Sequence, residues 1–284
     1  MGLDNSTLPV RTESGVNLLC ESGSELVMEP SALGPVGYIS DIHAGRATTW
    51  SAGQLDALNT QLQSTPTVGW IFNGDLIDEG DDTTDLTIFE ASFGTAELTG
   101  HALNGNHEEP LDPFPVNFTW DVGPYRFVGF DMTTYFNAGN GFYDATMTAP
   151  EIAAVGVTLA AAVAAGKTPI IVTHIPLYSS TNDAQLLAGS GQEGMLALCS
   201  TYGVPLALSG HNHPFGPLYS LNAGTGHYSG LAAMGPYAAP LSYAAAYQVL
   251  NLYLDHIDIN AYSSLSPFAA LWSRPFRIWL GGTP

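Results

Sequence analysis

The stretch "VGYISDIHAG", Val36 to Gly45, is a short apolar run that ends in an aspartate and a histidine two residues apart. A run of this length before polar residues predicts a buried strand. If Asp41 and His43 are buried at its end, each needs a partner. They could hydrogen-bond locally or share a metal ion. In extended chain, residues two apart point the same way, so both side chains could converge on one cation.

The pattern repeats outward from this point. "SAGQLDALNTQLQS" predicts a helix, with Leu55, Leu58 and Leu62 at helical spacing and Ser51 as its N-cap. "VGWIFNGD" is the next strand, "TDLTIFEASFGTA" a helix, and "GHALNGNHE" a strand and loop. "YRFVGFDM" is a strand, and "TAPEIAAVGVTLAAAVAAGK" a helix with Pro150 in its first turn and Gly166 at its end. "PIIVTHIP" and "VPLALSGHNH" are strands again, and from Tyr219 short strands and turns replace helix. β-α-β units followed by a β-rich end favour an α/β sandwich with mixed sheets. Residues 35–284 show no linker and are expected to form one domain. Residues 1–34 read as an N-terminal extension, with "VNLLCESGSELVMEP" as a β-hairpin.

Composition narrows the partners. Six basic residues face 26 acidic ones for a formal net charge of −20, and Lys167 is the sole lysine. Such a surface repels long nucleic acid and anionic membranes. It is read either as ordinary acidic solubility or as adaptation to a high-salt organism. Cys20 and Cys199 are too few for a disulfide framework and are expected as buried thiols. No secretory leader is seen at the start, so an intracellular location is the default expectation. The apolar run Ile152 to Gly166 is too short to span a bilayer and is read as a packed helix.

Each predicted strand delivers a chemically able side chain at its end. They are Asp41-x-His43, Gly74-Asp75-x-x-Asp78, Gly105-Asn106-His107-Glu108, His174, and Gly210-His211-x-His213. Carboxyl ends of strands are where α/β sheets bind ligands. Each element alone has a bland explanation, such as a hydrogen-bonded loop histidine. Together, in order, they point to a metal site.

This series resembles the calcineurin-like metallophosphoesterase superfamily over about residues 36–215. The resemblance implies an αββα sandwich of two mixed β-sheets flanked by helices, with the metal site at the carboxyl ends of the strands. It implies that Asp41, His43 and His213 hold one metal and that Asn106, His174 and His211 hold the other. Asp75 would bridge both. His107 would protonate the leaving group, paired with Asp78.

Ligands of oxygen and nitrogen without thiolate suit Mn, Fe, Zn or Co. A shared carboxylate lets two cations sit about 3.5–4 Å apart, an arrangement for in-line displacement at phosphorus. A partnered His107 would hold its proton at higher pH and serve as general acid. The segment "GDLID" carries no tyrosine like that of purple acid phosphatases. Glu79 stands where protein phosphatases carry arginine, and "GNHEEP" lacks their following basic residue. Arg46 is a candidate for substrate phosphate, with a surface role as its alternative.

The expected function is a metal-dependent phosphoric ester hydrolase. It would act on phosphomonoesters or phosphodiesters of a small substrate by attack of a metal-bridging hydroxide. The alternatives are a nucleotide pyrophosphatase or 5′-nucleotidase, and a non-catalytic binding module on the same fold. The acidic segment Asp78 to Asp85 is read as a solvated loop. "TTYFNAGNGFYD", Thr133 to Asp144, is read as a cap over the site or a packed turn. His101 and His256 are read as structural and His227 as a surface residue.

Overall fold

The structure is a computed structural model. It describes residues 10–11, 17–19, 27–29, 32–45, 53–80, 82–94, 101–137, 142–177, 189–211, 219–220, 228–230, 246–263 and 276–280. Three short strands, β1 (Val10–Arg11), β2 (Asn17–Leu19) and β3 (Val27–Glu29), form a small antiparallel sheet. In this stretch, where a hairpin is expected, β2 pairs antiparallel with both β1 and β3, and the residues joining the strands lie outside the described ones.

The body begins with β4 (Gly34–Ile39), α1 (Gln54–Ser64), β5 (Trp70–Asn73), α2 (Thr83–Phe93) and β6 (Ala102–Leu103). Then come β7 (Asn117–Val122), β8 (Tyr125–Phe130), the antiparallel pair of β9 (Thr133–Asn137) and β10 (Phe142–Thr146), α3 (Ala149–Ala164) and β11 (Thr168–Val172). The chain continues through α4 (Gly189–Tyr202), β12 (Leu206–Leu208), β13 (Tyr219–Ser220) and β14 (Tyr228–Gly230). It closes with β15 (Ala246–Leu252), β16 (His256–Ser263) and β17 (Phe276–Trp279).

Two six-stranded sheets result. The first has the order β17-β16-β15-β4-β5-β6 and the second β13-β14-β12-β11-β8-β7. Both are mixed. In the first, β4, β5 and β6 run parallel while β15 is antiparallel to β4. In the second, β8, β11, β12 and β14 run parallel, with antiparallel β7 and β13 at the edges.

Alternation along the strands sorts the core into layers. Ile170, Val172, Leu206, Leu208 and Phe127 join the cluster of Val36, Tyr38, Ile39 and Ile71 from the first sheet. Their sequence neighbours Val128, Ile171 and Ala207 instead pack with Val155, Leu159 and Met195 of α3 and α4. Leu55, Leu58 and Leu62 of α1 and Phe89 and Phe93 of α2 belong to the first cluster. The expected α/β sandwich, with two mixed sheets between helices, is the observed one.

Local expectations fared unevenly. Gly53, at φ 81°, is the N-cap of α1, and no side chain caps that end; Ser51 lies outside the described residues. Within the segment from Thr133, β9 and β10 pair antiparallel, and the residues that join them lie outside the described ones. The Asp78 to Asp85 loop is not wholly solvated. Asp85 is buried and accepts the Glu79 N–H at 3.1 Å, while Asp82 caps α2 through Thr84 N–H. Cys199 is a buried free thiol, and Cys20 lies outside the described residues. No described helix is long and apolar enough to cross a membrane.

Candidate metal centre

Three adjacent parallel strands of the first sheet and two of the second end at one place. Asp41 and His43 follow β4, Asp75 and Asp78 follow β5, and Asn106 and His107 follow β6. His174 follows β11 and His211 follows β12. The loops after β4 and β5 stay paired past the strand ends. Asp41 N–H donates to Gly74 O, His43 N–H to Asp75 O, and Ala44 N–H to Leu76 O, each at 2.9 Å. The return bond runs from Asp78 N–H to Ala44 O at 2.9 Å. Beneath the site Asn73 ties the two sheets together, donating to Tyr38 Oη at 2.7 Å and to Thr173 O at 3.0 Å.

The backbone carries the mark of a functional site. Five described non-glycine residues have positive φ, and four are candidate ligands: Asp41 at 53°, His43 at 50°, Asp75 at 50° and His211 at 70°. Left-handed conformations cost energy for residues with a Cβ and cluster where function needs them. The sequence expectation of an extended Asp41-x-His43 is therefore corrected. Their convergence comes from a left-handed turn just beyond β4, because the loop pairs with the Gly74–Leu76 backbone instead of continuing as strand. Two glycines make room for the side chains. A Cβ on Gly105 would lie 2.2 Å from Asp75 Oδ1, and one on Gly210 would lie 2.7 Å from Asp41 Oδ2.

Asp41, His43, Asp75, Asn106, His174 and His211 are all buried. Donor atoms of Asp41, His43 and Asp75 lie within 4.8 Å of one another, as do those of Asp75, His174 and His211. Asp75 is common to both groups. Its Oδ1 is 3.2 Å from His174 Nε2 and its Oδ2 is 3.8 Å from His43 Nε2. His174 Nδ1 contacts Asn73 O at 2.8 Å, which turns Nε2 toward the centre. Asn106 Oδ1 is buried without a hydrogen-bond partner, a costly state unless something outside the protein binds it. Asp41 Oδ1 accepts the His211 N–H at 2.9 Å, and the Ser40 hydroxyl donates to Asp41 Oδ2. Buried oxygen and nitrogen donors around an orphaned amide oxygen fit divalent cations of the Mn, Fe, Zn and Co type.

The charges are mutually dependent. Burial alone would raise Asp75, but His174, His107 and His43 hold it well below the ordinary carboxylate range. Burial would lower His174, yet Asp75 and Asp41 push it up to about 10. His107 is likewise raised, burial being outweighed by Asp75, the Asp78 carbonyl and Glu108. The negative field that draws protons to these rings is the field that would hold cations.

His107 and Asp78 lie side by side, in an arrangement the sequence did not suggest. His107 Nδ1 meets the Asp78 backbone carbonyl at 2.5 Å. The Asp78 carboxylate approaches His43 Nδ1 instead, at 3.3 Å. The two imidazoles meet edge to face, with centroids 4.5 Å apart.

Sequence reading gave Glu108 no role, although the structure makes it central. It is fully buried and accepts Asp75 N–H at 2.8 Å, Gly105 N–H at 2.5 Å, Leu76 N–H at 2.6 Å and Ile77 N–H at 3.1 Å. Burial and the nearby Asp75 push it up to about 7, against the pull of those N–H groups. The only available signal was a charged residue ending an otherwise apolar and ligand-bearing motif. His213, Arg46 and His227 lie outside the described residues. His101 stacks on Trp120 at 4.1 Å, and His256 stacks on Tyr253 at 4.2 Å beside Asp255, away from these groups. A cavity of about 530 Å³ between α3 and the β7–β8 hairpin contains none of the candidate ligands.

The family model for calcineurin-like phosphoesterases matches residues 34–215, more than half of the chain and all five motifs. The chain belongs to this family. Solved structures agree with the fold of this calcineurin-like phosphoesterase. A dimetal phosphatase from Danio rerio superposes with a TM-score of 0.67 at 14% identity, covering 88% of this chain and 100% of its own. A purple acid phosphatase from yellow lupin gives 0.62 at 16% identity, covering 88% of this chain and 54% of its own. GAP50, the anchor in the inner membrane complex of Plasmodium, gives 0.57 at 11% identity, covering 88% and 90%. No curated protein sequence matches. The family membership fits the buried donor set, and the structural likenesses at these identities speak for the fold alone.

Proposed function

We propose that this calcineurin-like phosphoesterase is a dinuclear-metal hydrolase of phosphomonoesters or phosphodiesters on a small substrate. The observation that carries the reading is Asp75, whose two carboxylate oxygens face His43 on one side and His174 on the other. In this reading Asp41, His43 and His213 hold one ion; Asn106, His174 and His211 hold the other; Asp75 serves both. The ions would supply charge neutralisation at the phosphoryl group and activation of water as the nucleophile. His107, protonated in the field of Asp75, gives its proton to the leaving oxygen. Asp78 supports it, and Arg46 contacts the substrate phosphate. A small substrate is favoured because a surface at −20 repels a polyanion.

Metal content and hydrolysis of paired aryl phosphate monoesters and diesters, measured with added Mn²⁺, test this. Asp75→Asn is expected to lose metal and turnover together. His107→Ala is expected to keep metal and lose about 10²–10⁴ in turnover. Metal-loaded protein that turns over no phosphoester would favour a binding module. Unchanged turnover by His107→Ala, on esters with both good and poor leaving groups, would remove His107 as the acid.

A further inference from the structure

Asp78 offers two acceptors, and each faces a different histidine. Its backbone is fixed by the bond from its own N–H to Ala44 O, so it rides on the loop that carries Asp41 and His43. Its carbonyl takes His107 Nδ1 at 2.5 Å. Its carboxylate lies 3.3 Å from His43 Nδ1. The other nitrogen of His43 is 3.8 Å from Asp75 Oδ2, within the Asp41–His43–Asp75 group.

At 3.3 Å the two make no hydrogen bond and act through charge. A carboxylate beside Nδ1 favours the tautomer that carries the proton there, which leaves Nε2 as the free lone pair and makes it a more basic ligand. We infer that the Asp78 carboxylate is a positioning residue for His43 as a metal ligand, while His107 is oriented by the Asp78 main chain. The division of labour differs from a carboxylate–imidazole pair between Asp78 and His107. Side-chain changes at 78 should therefore act on the metal side of the site and leave the orientation of the proton donor in place. The inference rests on the dimetal reading above.

The geometry leaves one competitor. Donor atoms of His43, Asp78 and His107 also fall within 4.8 Å of one another, which makes the trio a competing set of ion ligands. Stoichiometry separates the two.

The test compares wild type, Asp78→Asn and Asp78→Ala, with circular dichroism to confirm folding. Mn²⁺ binding is measured by chelator competition, and turnover at saturating Mn²⁺ is measured across aryl phosphates of graded leaving-group acidity. Wild type is expected to bind two ions. Asp78→Ala should bind two ions with about 10–100-fold weaker affinity at one of them. Asp78→Asn, which keeps an acceptor oxygen, should recover part of that affinity and supplies the comparison if the alanine variant does not fold. The dependence of turnover on leaving-group acidity should match wild type in both variants. Unchanged metal affinity with a steeper leaving-group dependence would overturn the inference and restore the pair between the Asp78 carboxylate and His107. Loss of one bound ion at saturation would overturn it in favour of the competing site. Wild type without metal would instead sink the dimetal reading itself.

Discussion

Glu108 lies at the end of the Gly105–Glu108 motif with both carboxylate oxygens engaged by backbone N–H groups from two ligand loops. A glutamine of the same shape has one acceptor oxygen, and its amide N–H₂ would confront donors. Glu108→Gln should therefore cost about 2–4 kcal/mol in urea unfolding, because buried donors lose their acceptor. A cost within error of zero would show that the clamp contributes little. At this scale, legibility divides by where the chemistry resides. Asp41, His43, Asp75, Asn106, His174 and His211 could be picked out as candidates because their chemistry is written in side-chain type. Glu108 was not, because its partners are main-chain groups that every residue shares. The orientation of Asp78 was hidden for the same reason, since its carbonyl occupies the place its carboxylate was expected to take.

β7 and β8 form a hairpin closed at its open end by Asp131, whose N–H donates to Val116 O at 2.8 Å. Burial pushes the Asp131 carboxyl from an ordinary 3.8 up to about 7, against the pull of Asn104 and the Met132 N–H. The folded state thus holds a proton that the unfolded chain releases near pH 4. The favourable contribution is complete below that pH and is lost as pH rises through about 7. Asp131→Asn should gain stability relative to wild type across that window, by about 2–4 kcal/mol between pH 4 and pH 8. Urea midpoints at the two pH values check this, and a pH-independent difference would count against it. Periodicity exposed α1, α3, β4, β5, β11 and β12, but β7 and α4 are among the elements that escaped it. β7 buries only Phe118 and Val122 of its six residues, a signal too sparse to separate from loop. α4 opens with glycines that read as breakers, Gly189 and Gly191, while Gly194 farther along the helix and Gly156 of α3 sit at the contact between the two helices. A Cβ on Gly194 would meet Ile152 of α3 at 2.9 Å, and one on Gly156 would meet Leu198 of α4 at 3.2 Å.

For the molecule as a whole, charge is the dominant uncompensated term. Arg126 and Lys167 both lie against Asp121, and Arg277 grips Asp258 with two bonds of 2.7 Å. These pairs leave most of the 26 acids without a basic neighbour, since only six basic residues exist. Mutual repulsion is screened within about 10 Å at 0.1 M salt and within about 3 Å at 1 M. Thermal midpoints should therefore rise from dilute buffer to 1 M NaCl, and a flat or falling curve would contradict this account. Composition disclosed that field, and β-α-β units followed by a β-rich end disclosed the sandwich, while the series of candidate ligands at successive strand ends carried the family resemblance. The layering was less legible, since which face of β8, β11 and β12 meets helix depends on the partner sheet. One consequence follows from the loops beyond β4 and β5, which remain laced together after their strands have ended. If the proposed site takes a cation, these two loops would offer it a socket already cut, and its capture there would be paced by how quickly the ion sheds its own hydration water.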